Sequence, residues 1–236
     1  MSLNEAVALV AGASGDIGRA IAFDLLGAGA EVFMLGRSMA RLVQPPPPED
    51  FRENCRFIVA GLTDDDAIAR VNIAILSRSR LDVLVLSTGT YERSNEPAVF
   101  GRQIAANVVG PYALLQRLLP LLIKAKGQVE VVFINSTQAL RAAAGLGQYA
   151  ATKHAVKAVA DSLRDEVNAN GVRVMSLFLG RTASERQRAI FAAEGRPYPP
   201  ERLLQPADVA ELVLSLLRLP RTSEVTDIVL RLMQET

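Results

Sequence analysis

The 236 residues, half of them hydrophobic, suffice for one large domain with a buried core, and no change of composition marks a second domain. The 26 lysines and arginines nearly balance the 25 aspartates and glutamates, and the net charge of +1 offers no field that would attract nucleic acid or an anionic membrane. The expected partners are therefore small molecules and further copies of the chain.

Short runs rich in valine, isoleucine and leucine alternate with longer helical patterns along the chain. This alternation is typical of βαβ units around a parallel sheet that has helices on both faces. The predicted strands are residues 6–10, 31–35, 56–59, 83–86, 129–134, 173–178 and 227–232, with six helical segments between them. The clearest helices are 17–27, 104–125 and 148–168. The sequence thus predicts a doubly wound α/β fold in one domain.

The first predicted strand runs directly into Gly12-Ala-Ser-Gly15-Asp-Ile-Gly18, which is followed by a helical pattern. Glycines here let the backbone turn tightly and approach a pyrophosphate, which then lies against the amide groups and the positive end of the helix. A glycine turn can also simply connect a strand to a helix, and this alternative stays open for the motif taken alone. The candidate cofactor-binding residues of the turn are Gly12, Ser14, Gly15, Asp16, Ile17 and Gly18.

The second predicted strand ends in Leu35-Gly36-Arg37-Ser38. In a dinucleotide-binding fold, an acidic residue at this place binds the adenosine ribose 2′-hydroxyl, whereas an arginine suits a 2′-phosphate. Gly36 supplies no carboxylate to repel that phosphate, and Arg37 can form charge-assisted hydrogen bonds to it. The sequence therefore predicts a preference for NADP over NAD. The alternative is that Arg37 is an ordinary solvated turn residue.

Tyr149 lies thirteen residues after Ser136 and four before Lys153. Residues at i and i+4 project from one face of a helix, so the phenol and the ammonium can share a site. The cation favours the phenolate, which makes the tyrosine a usable proton donor and acceptor near neutral pH. Hydride transfer to a carbonyl carbon builds negative charge on the oxygen, and Ser136 and Tyr149 are suitable donors to it. The spacing predicts an oxidoreductase.

Together with Asn107 in Ala106-Asn-Val-Val-Gly110, these motifs resemble the short-chain dehydrogenase/reductase family along nearly the whole chain. The resemblance implies a Rossmann-type fold and a catalytic tetrad. In that tetrad Tyr149 is the general acid or base, and Lys153 lowers the pKa of Tyr149 and binds the nicotinamide ribose. Ser136 holds the substrate oxygen, and Asn107 positions a helix backbone and a water for proton relay. The family also implies a homodimer or homotetramer.

Two departures from the family's common pattern concern the nucleotide end of the expected cofactor site. Asp16 stands where the middle glycine of the turn often lies, with Gly15 one place earlier, a spacing that resembles other branches of the family. Gly61 stands where the family often places an aspartate near adenine. Adenine contacts are therefore expected to rest on the backbone and on Leu62.

Two further departures concern the segments after the fourth and sixth strands. Leu86-Ser-Thr-Gly89 replaces the usual asparagine-rich motif but keeps, in Gly89, the glycine that lets the cofactor approach. Leu179-Gly180 replaces the usual proline-glycine and is followed by Arg181-Thr182. We expect Gly180 and Thr182 to bind the cofactor, with Thr182 near the nicotinamide carboxamide.

Residues 183–204 are predicted to form the substrate loop, because they fall between the sixth strand and a helix expected to start at Pro206 and contain few strand-like runs. The loop carries Arg186, Arg188, Arg196 and Arg202, and Arg141 follows Ser136. These arginines could favour an acidic substrate, although surface solvation is the preferred interpretation. Leu140, Leu146 and Phe191 suggest some apolar lining.

The sequence therefore predicts an NADP-dependent oxidoreductase that interconverts a carbonyl and an alcohol, with NAD as the alternative cofactor and no metal. Residues up to about 130 are expected to bind the dinucleotide, and the rest to carry the catalytic and substrate-binding parts. Two alternatives remain. One is an NAD(P)-binding regulator or scaffold without turnover, and the other is an epimerase or dehydratase, which the absence of an added C-terminal substrate domain disfavours.

The cysteine content and the apolar segments predict the location. A single cysteine, Cys55, cannot form an internal disulfide and is typical of a reducing compartment. The longest apolar stretch, residues 114–123, contains Arg117 and Pro120 and is far shorter than the roughly 20 residues of a membrane-spanning helix. We expect a cytoplasmic protein.

Overall fold

The centre of the protein is a sheet of seven parallel strands, in a computed structural model that describes residues 3–125 and 127–233. The strands are β1 (Val7–Ala11), β2 (Glu31–Gly36), β3 (Cys55–Val59), β4 (Val83–Leu86), β5 (Val129–Ser136), β6 (Val172–Leu179) and β7 (Asp227–Leu230). Their order in the sheet is β3-β2-β1-β4-β5-β6-β7. Every strand begins and ends within two residues of a predicted run, so the predicted fold class is confirmed.

Helices cover both faces of the sheet. They are α1 (Asp16–Gly27), α2 (Met39–Leu42), α3 (Asp65–Leu76), α4 (Pro97–Ile104), α5 (Gly110–Lys124), α6 (Gly147–Val167), α7 (Glu185–Ala193) and α8 (Pro206–Leu217). In β1, Ala8 and Val10 join the core cluster that contains α1 and α8, whereas Val7, Leu9 and Ala11 join the cluster that contains α3, α5 and α6. Successive side chains of β1 point to opposite faces of the sheet, and both faces are buried under helices. This explains why the sequence of the strand is a continuous apolar run.

The first strand marks the point where the order of the sheet reverses. β1 pairs with β2 on one side and with β4 on the other, so the chain moves outward in both directions from it. In open parallel sheets, ligands bind in the crevice at the carboxyl ends of the strands beside this switch point. The turns that follow β1, β2, β4, β5 and β6 all lie at this edge of the sheet. The functional site is therefore expected there.

The helix predicted over 104–125 is longer and less regular than expected. A continuous helical segment runs from Pro97 to Lys124, and a π-helical turn, Ala105–Val109, separates α4 from α5. Within residues 3–125 and 127–233, this segment is the one helix long and apolar enough to cross a membrane, and 44% of its most apolar window is buried inside the protein. Leu114 and Leu118 lie in the core cluster, as expected of a core helix.

The segment 183–204, predicted as a loop, contains the nine-residue helix α7. Ser184 caps this helix, because its hydroxyl accepts a hydrogen bond from the backbone N–H of Gln187 at 3.1 Å. Phe191 is the only buried side chain of α7. The sequence therefore has no apolar pattern of helical period that would predict this helix.

Candidate active site

Tyr149 and Lys153 project from the first turns of α6 toward the end of β5. The ammonium of Lys153 lies 5.9 Å from the centre of the Tyr149 ring, and its Nζ donates a hydrogen bond to the carbonyl oxygen of Ile134 at 3.4 Å. The lysine is 6% exposed. Both side chains line a cavity of about 300 Å³ with Ser136, so the structure brings these three residues together.

Ser136 is the last residue of β5, and its hydroxyl faces the same cavity. Its Oγ accepts a hydrogen bond from the backbone N–H of Gln138 at 3.2 Å, which fixes the orientation of the side chain. A hydrogen bond between the Ser136 and Tyr149 side chains favours the phenolate and so acts to lower the pKa of Tyr149. Two hydroxyl groups thus converge on one place.

Asn107 lies in the π-helical turn between α4 and α5 and is buried. Its Oδ1 accepts from the backbone N–H of Thr90 at 2.6 Å, and its Nδ2 donates to the carbonyl of Thr90 at 2.9 Å and to Oγ1 of Thr152 at 3.0 Å. Because every polar atom of the amide is engaged, Asn107 holds the β4 loop and α6 at fixed positions. A small cavity of about 20 Å³ lies between Asn107, Lys153 and Thr88.

The ionisation of the two central residues is dominated by burial. Withdrawal from water raises the pKa of Tyr149 above its ordinary value, and the positive charge of Arg186 and the hydrogen bond with Ser136 oppose this rise. Burial, with the nearby charge of Arg186, lowers the pKa of Lys153 to about 8. The expectation that Lys153 would bring the pKa of Tyr149 down toward neutrality is therefore not met in the protein alone, because loss of hydration outweighs the two groups that lower this pKa, Arg186 and Ser136.

The glycine turn after β1, here called the glycine cradle, packs too closely against neighbouring backbone to admit a side chain at two of its positions. A Cβ on Gly12, whose φ is +91°, would lie 2.5 Å from the carbonyl oxygen of Ser87, and a Cβ on Gly18 would lie 2.4 Å from the carbonyl oxygen of Gly12. Beside this turn are cavities of about 190 and 410 Å³. The hydroxyl of Thr88 lines the smaller one, and its Oγ1 is buried without a hydrogen-bond partner within the described residues. An extended dinucleotide with polar groups fits this cleft.

The remaining candidate cofactor residues lie around the same cleft. The 190 Å³ cavity is lined by Gly12, Ser14, Gly15, Arg37, Leu62 and Gly89, and the 410 Å³ cavity by Gly12, Gly15, Asp16, Ile17, Gly18, Arg37 and Gly89. Gly180 and Thr182 line the cavity that contains Tyr149. A Cβ on Gly61 would meet no atom within 4 Å, so this position is open. The structure thus gathers every candidate residue, from the adenosine end to Tyr149.

The loop arginines differ in their surroundings. The Arg188 guanidinium lies 5.3 Å from the Tyr198 ring and that of Arg196 lies 5.3 Å from the Phe191 ring, so both rest on aromatic surfaces. Arg186 instead lines all three large cavities of the cleft. Arg186 is exposed, as the preferred interpretation of surface solvation expects, and α7 also places it beside the cleft.

Tyr91 is a site residue that the sequence does not indicate. Its ring packs edge to face against Tyr149, with centroids 5.2 Å apart and an interplanar angle of 86°, and it lines the 300 Å³ cavity. This contact depends on how the loop after β4 folds over α6. No residue spacing in the sequence predicts it.

The chain is similar to known dehydrogenases along most of its length. A family model described as short chain dehydrogenase matches residues 6–195. An uncharacterized oxidoreductase of Escherichia coli, YciK, is 30% identical over 225 residues, which cover 91% of this chain and 87% of that protein. An uncharacterized short-chain type dehydrogenase/reductase of Sinorhizobium fredii, y4eK, is 29% identical over 228 residues, which cover 93% and 88%.

Solved structures share the whole architecture. A short chain dehydrogenase/reductase family protein matches with a TM-score of 0.84 at 29% identity, over 98% of this chain and 97% of that one. A metagenomic short-chain oxidoreductase in complex with NADP matches at 0.82 and 26% identity over 100% of both chains. A short chain dehydrogenase of Escherichia coli complexed with NADPH matches at 0.86 and 27% identity over 97% of both.

Proposed function

Because the chain belongs to the short-chain dehydrogenase/reductase family of oxidoreductases, we propose that it reduces a carbonyl group to an alcohol with NADPH. The observation that carries this proposal is the convergence of Ser136, Tyr149 and Lys153 on one cavity of about 300 Å³, beside the glycine cradle. Bound NADPH supplies the hydride.

The chain's own contribution begins with two hydroxyl groups at the carbonyl oxygen. Negative charge develops on that oxygen during reduction, and donors that are already in place stabilise it. Ser136 and Tyr149 supply those donors from one side of the cavity. Burial raises the pKa of Tyr149, which keeps the phenol protonated at neutral pH. A protonated phenol is the general acid that carbonyl reduction needs, so Tyr149 suits the reductive direction.

Lys153 and Asn107 are proposed to replace the proton that Tyr149 gives up. The pKa of Lys153, about 8, lets its ammonium exchange protons near neutral pH. The cavity of about 20 Å³ between Lys153, Asn107 and Thr88 is large enough for one water, because about 10 to 15 Å³ suffices. Four hydrogen-bond contacts to Thr90 and Thr152 occupy the Asn107 amide, so Asn107 fixes the backbone around this cavity and that backbone is proposed to hold the water.

The proposed preference for NADPH rests on the charge of the cleft. None of the described residues lining the 190 Å³ cavity is acidic, whereas Arg37, Arg41 and Arg186 all line it. Arg37 makes no ion pair within the part of the chain that the structure describes, so its guanidinium is available to a 2′-phosphate. Relatives of 26% and 27% identity carry NADP and NADPH in their crystal structures, which supports the same choice.

The test is an equilibrium titration of the purified protein with NADPH and with NADH, before any substrate is tried. We expect NADPH to bind about 10- to 100-fold more tightly, because charge-assisted hydrogen bonds to a phosphate contribute about 1.5–3 kcal/mol. The variant Arg37→Ala should remove most of that difference, while Arg117→Ala, an exposed change on α5, should leave it intact.

The outcomes separate the alternatives. Equal affinity for the two cofactors would contradict the role of Arg37 alone. Binding of neither would contradict the enzymatic proposal and favour a scaffold without turnover. If NADPH binds, aldehydes and ketones are screened by its consumption, and a reaction that consumes none of it would point to an epimerase or dehydratase.

We also propose that the chain acts in the cytoplasm as a homodimer or homotetramer. The exposed side chains of Val109, the last residue of the π-helical turn, and Tyr112, in the first turn of α5, offer an apolar surface outside the sheet. Light scattering tests this proposal, because a molar mass equal to the 25.4 kDa of one chain would contradict it.

A further inference from the structure

Arg186 reaches across the cleft from the first turn of α7. Its Nη2 donates a hydrogen bond to the carbonyl oxygen of Gly89 at 2.6 Å, on the opposite wall. The side chain is exposed and lines the 190 and 410 Å³ cavities as well as the cavity of Tyr149. A carbonyl oxygen is a neutral partner, so this guanidinium has no acidic counterpart among the described residues.

The first turn of α7 is fixed above the glycine turn by two further contacts. The backbone N–H of Glu185 donates to Oδ2 of Asp16 at 3.0 Å, and the Glu185 carboxylate pairs with Arg41 at 2.8 Å. Arg186 therefore starts from a position directly beside the glycine cradle. The lining of the 410 Å³ cavity includes residues of both the glycine turn and the start of α7.

The charges that line the 410 Å³ cavity indicate which cation could meet an anionic ligand there. The amino end of α1 carries a partial charge of about +0.5, but Asp16 in its first turn opposes that charge. Glu185 is a second acid in the lining and is neutralised by Arg41. A diphosphate that lay against this turn would bring two negative charges. Arg41 is paired with Glu185, and Arg37 is proposed to bind the 2′-phosphate. This leaves Arg186 among the arginines of the described lining.

We propose that Arg186 binds the diphosphate of the dinucleotide cofactor, exchanging its hydrogen bond with Gly89 for charge-assisted bonds to phosphate oxygens. This inference rests on the proposed function, because it requires a dinucleotide in the cleft. An arginine fork matches phosphate geometry and makes stronger bonds with phosphate than with a neutral carbonyl. Binding of the cofactor and placement of α7 over the cleft are thereby linked.

The same guanidinium could instead meet an anionic group of the substrate, since it also lines the cavity of Tyr149. The contact with Gly89 distinguishes the two ligands. Gly89 lines both cavities of the glycine turn and is absent from the described lining of the Tyr149 cavity. The guanidinium therefore lies on the cofactor side, and the diphosphate is the favoured ligand.

The test compares three ligands of decreasing length, using binding alone as the readout. NADPH contains the 2′-phosphate, the diphosphate and nicotinamide. 2′-Phospho-ADP-ribose lacks the nicotinamide, and adenosine 2′-monophosphate lacks the diphosphate and the second ribose as well. Their dissociation constants are measured by calorimetry or by competition with the fluorescence of bound NADPH. The proteins are the wild type, Arg186→Gln and, as a control from the same helix, Arg188→Gln, whose guanidinium rests on Tyr198.

For Arg186→Gln we expect NADPH and 2′-phospho-ADP-ribose to bind about 10- to 100-fold more weakly, with adenosine 2′-monophosphate unchanged. Arg188→Gln should match the wild type for all three ligands. A loss confined to NADPH would place the contact at the nicotinamide and overturn the inference, as would unchanged binding of all three. A wild type that binds none of them would instead contradict the proposed function.

Discussion

The Asp16 carboxylate accepts a hydrogen bond from the backbone N–H of Glu185 at 3.0 Å, although the two residues are 169 positions apart. The contact joins the glycine turn after β1 to the helix after β6, so the two walls of the cleft are connected. Asp16 stands where a glycine is common in the family. The carboxylate at this position therefore anchors the start of α7.

The variant Asp16→Asn should loosen the start of α7. We expect the amides around Glu185 to exchange with solvent about 10-fold faster, because a hydrogen bond to a charged acceptor contributes about 1.5–3 kcal/mol and the amide oxygen retains part of it. Hydrogen exchange followed by mass spectrometry checks this. Asp50→Asn, an exposed change elsewhere, is the matched control. Unchanged exchange would show that other contacts hold the helix.

Tyr149→Phe should abolish most of the turnover without harming the cofactor site. Loss of a general acid typically lowers the rate by about 100- to 10,000-fold. The affinity for NADPH should stay within about twofold, because the phenyl ring still packs against Tyr91 and only the hydroxyl is lost. Steady-state kinetics on any carbonyl substrate found by screening, together with NADPH titration, measures both. Full turnover would contradict the assigned role.

The buried lysine predicts how stability depends on pH. Lys153 has a pKa of about 8 in the folded protein against an ordinary value of 10.5, so folding opposes its charge. Below pH 8 both states carry the proton and the cost is fully present. Between pH 8 and 10.5 the unfolded chain binds the proton more than the folded protein does, so stability rises with pH.

The comparison is wild type against Lys153→Met, which has no such proton. The wild type should gain up to about 3 kcal/mol relative to the variant between pH 7 and pH 10.5, since each pKa unit corresponds to about 1.36 kcal/mol. Urea unfolding at several pH values provides the two curves. If the curves stay parallel, the pKa of Lys153 is not depressed.

Glu130 and Arg173 should be a major determinant of stability at the opposite end of the sheet. They face each other in the register of β5 and β6 with an N–O distance of 2.7 Å, and Glu130 is fully buried. Glu130→Gln should cost about 3–5 kcal/mol, because it leaves the buried arginine without its counter-charge. Replacing both residues by methionine should cost much less.

Urea unfolding of the single and double variants measures the coupling between Glu130 and Arg173. Glu166→Gln, an exposed change on α6, serves as the control and should alter stability by less than about 0.5 kcal/mol. If Glu130→Gln is as stable as the wild type, the prediction is wrong. Neither Arg173 nor Arg221, which also contacts Glu130 at 3.0 Å, would then stabilise the fold through this carboxylate.

The sequence predicted what depends on local pattern. The five inner strands were found because they are buried on both faces, and Tyr149 and Lys153 were found because four residues make about one helical turn. The bridge between Asp16 and Glu185 was not found, because it joins distant segments whose meeting depends on the packing of α7. The helix α7 was missed for a related reason, since its one buried side chain, Phe191, leaves no periodic signal.

The π-helical turn Ala105–Val109 inserts one extra residue into the hydrogen-bonding pattern of a helix. One residue rotates an α-helix by about 100°, so the two halves of this helix are out of phase. The offset lets α4 pack on α6 while α5 packs on α3. Deleting a single residue there would remove this offset. One half of the helix would then turn its packing face away from its partner helix, and Asn107 would turn away from Thr90.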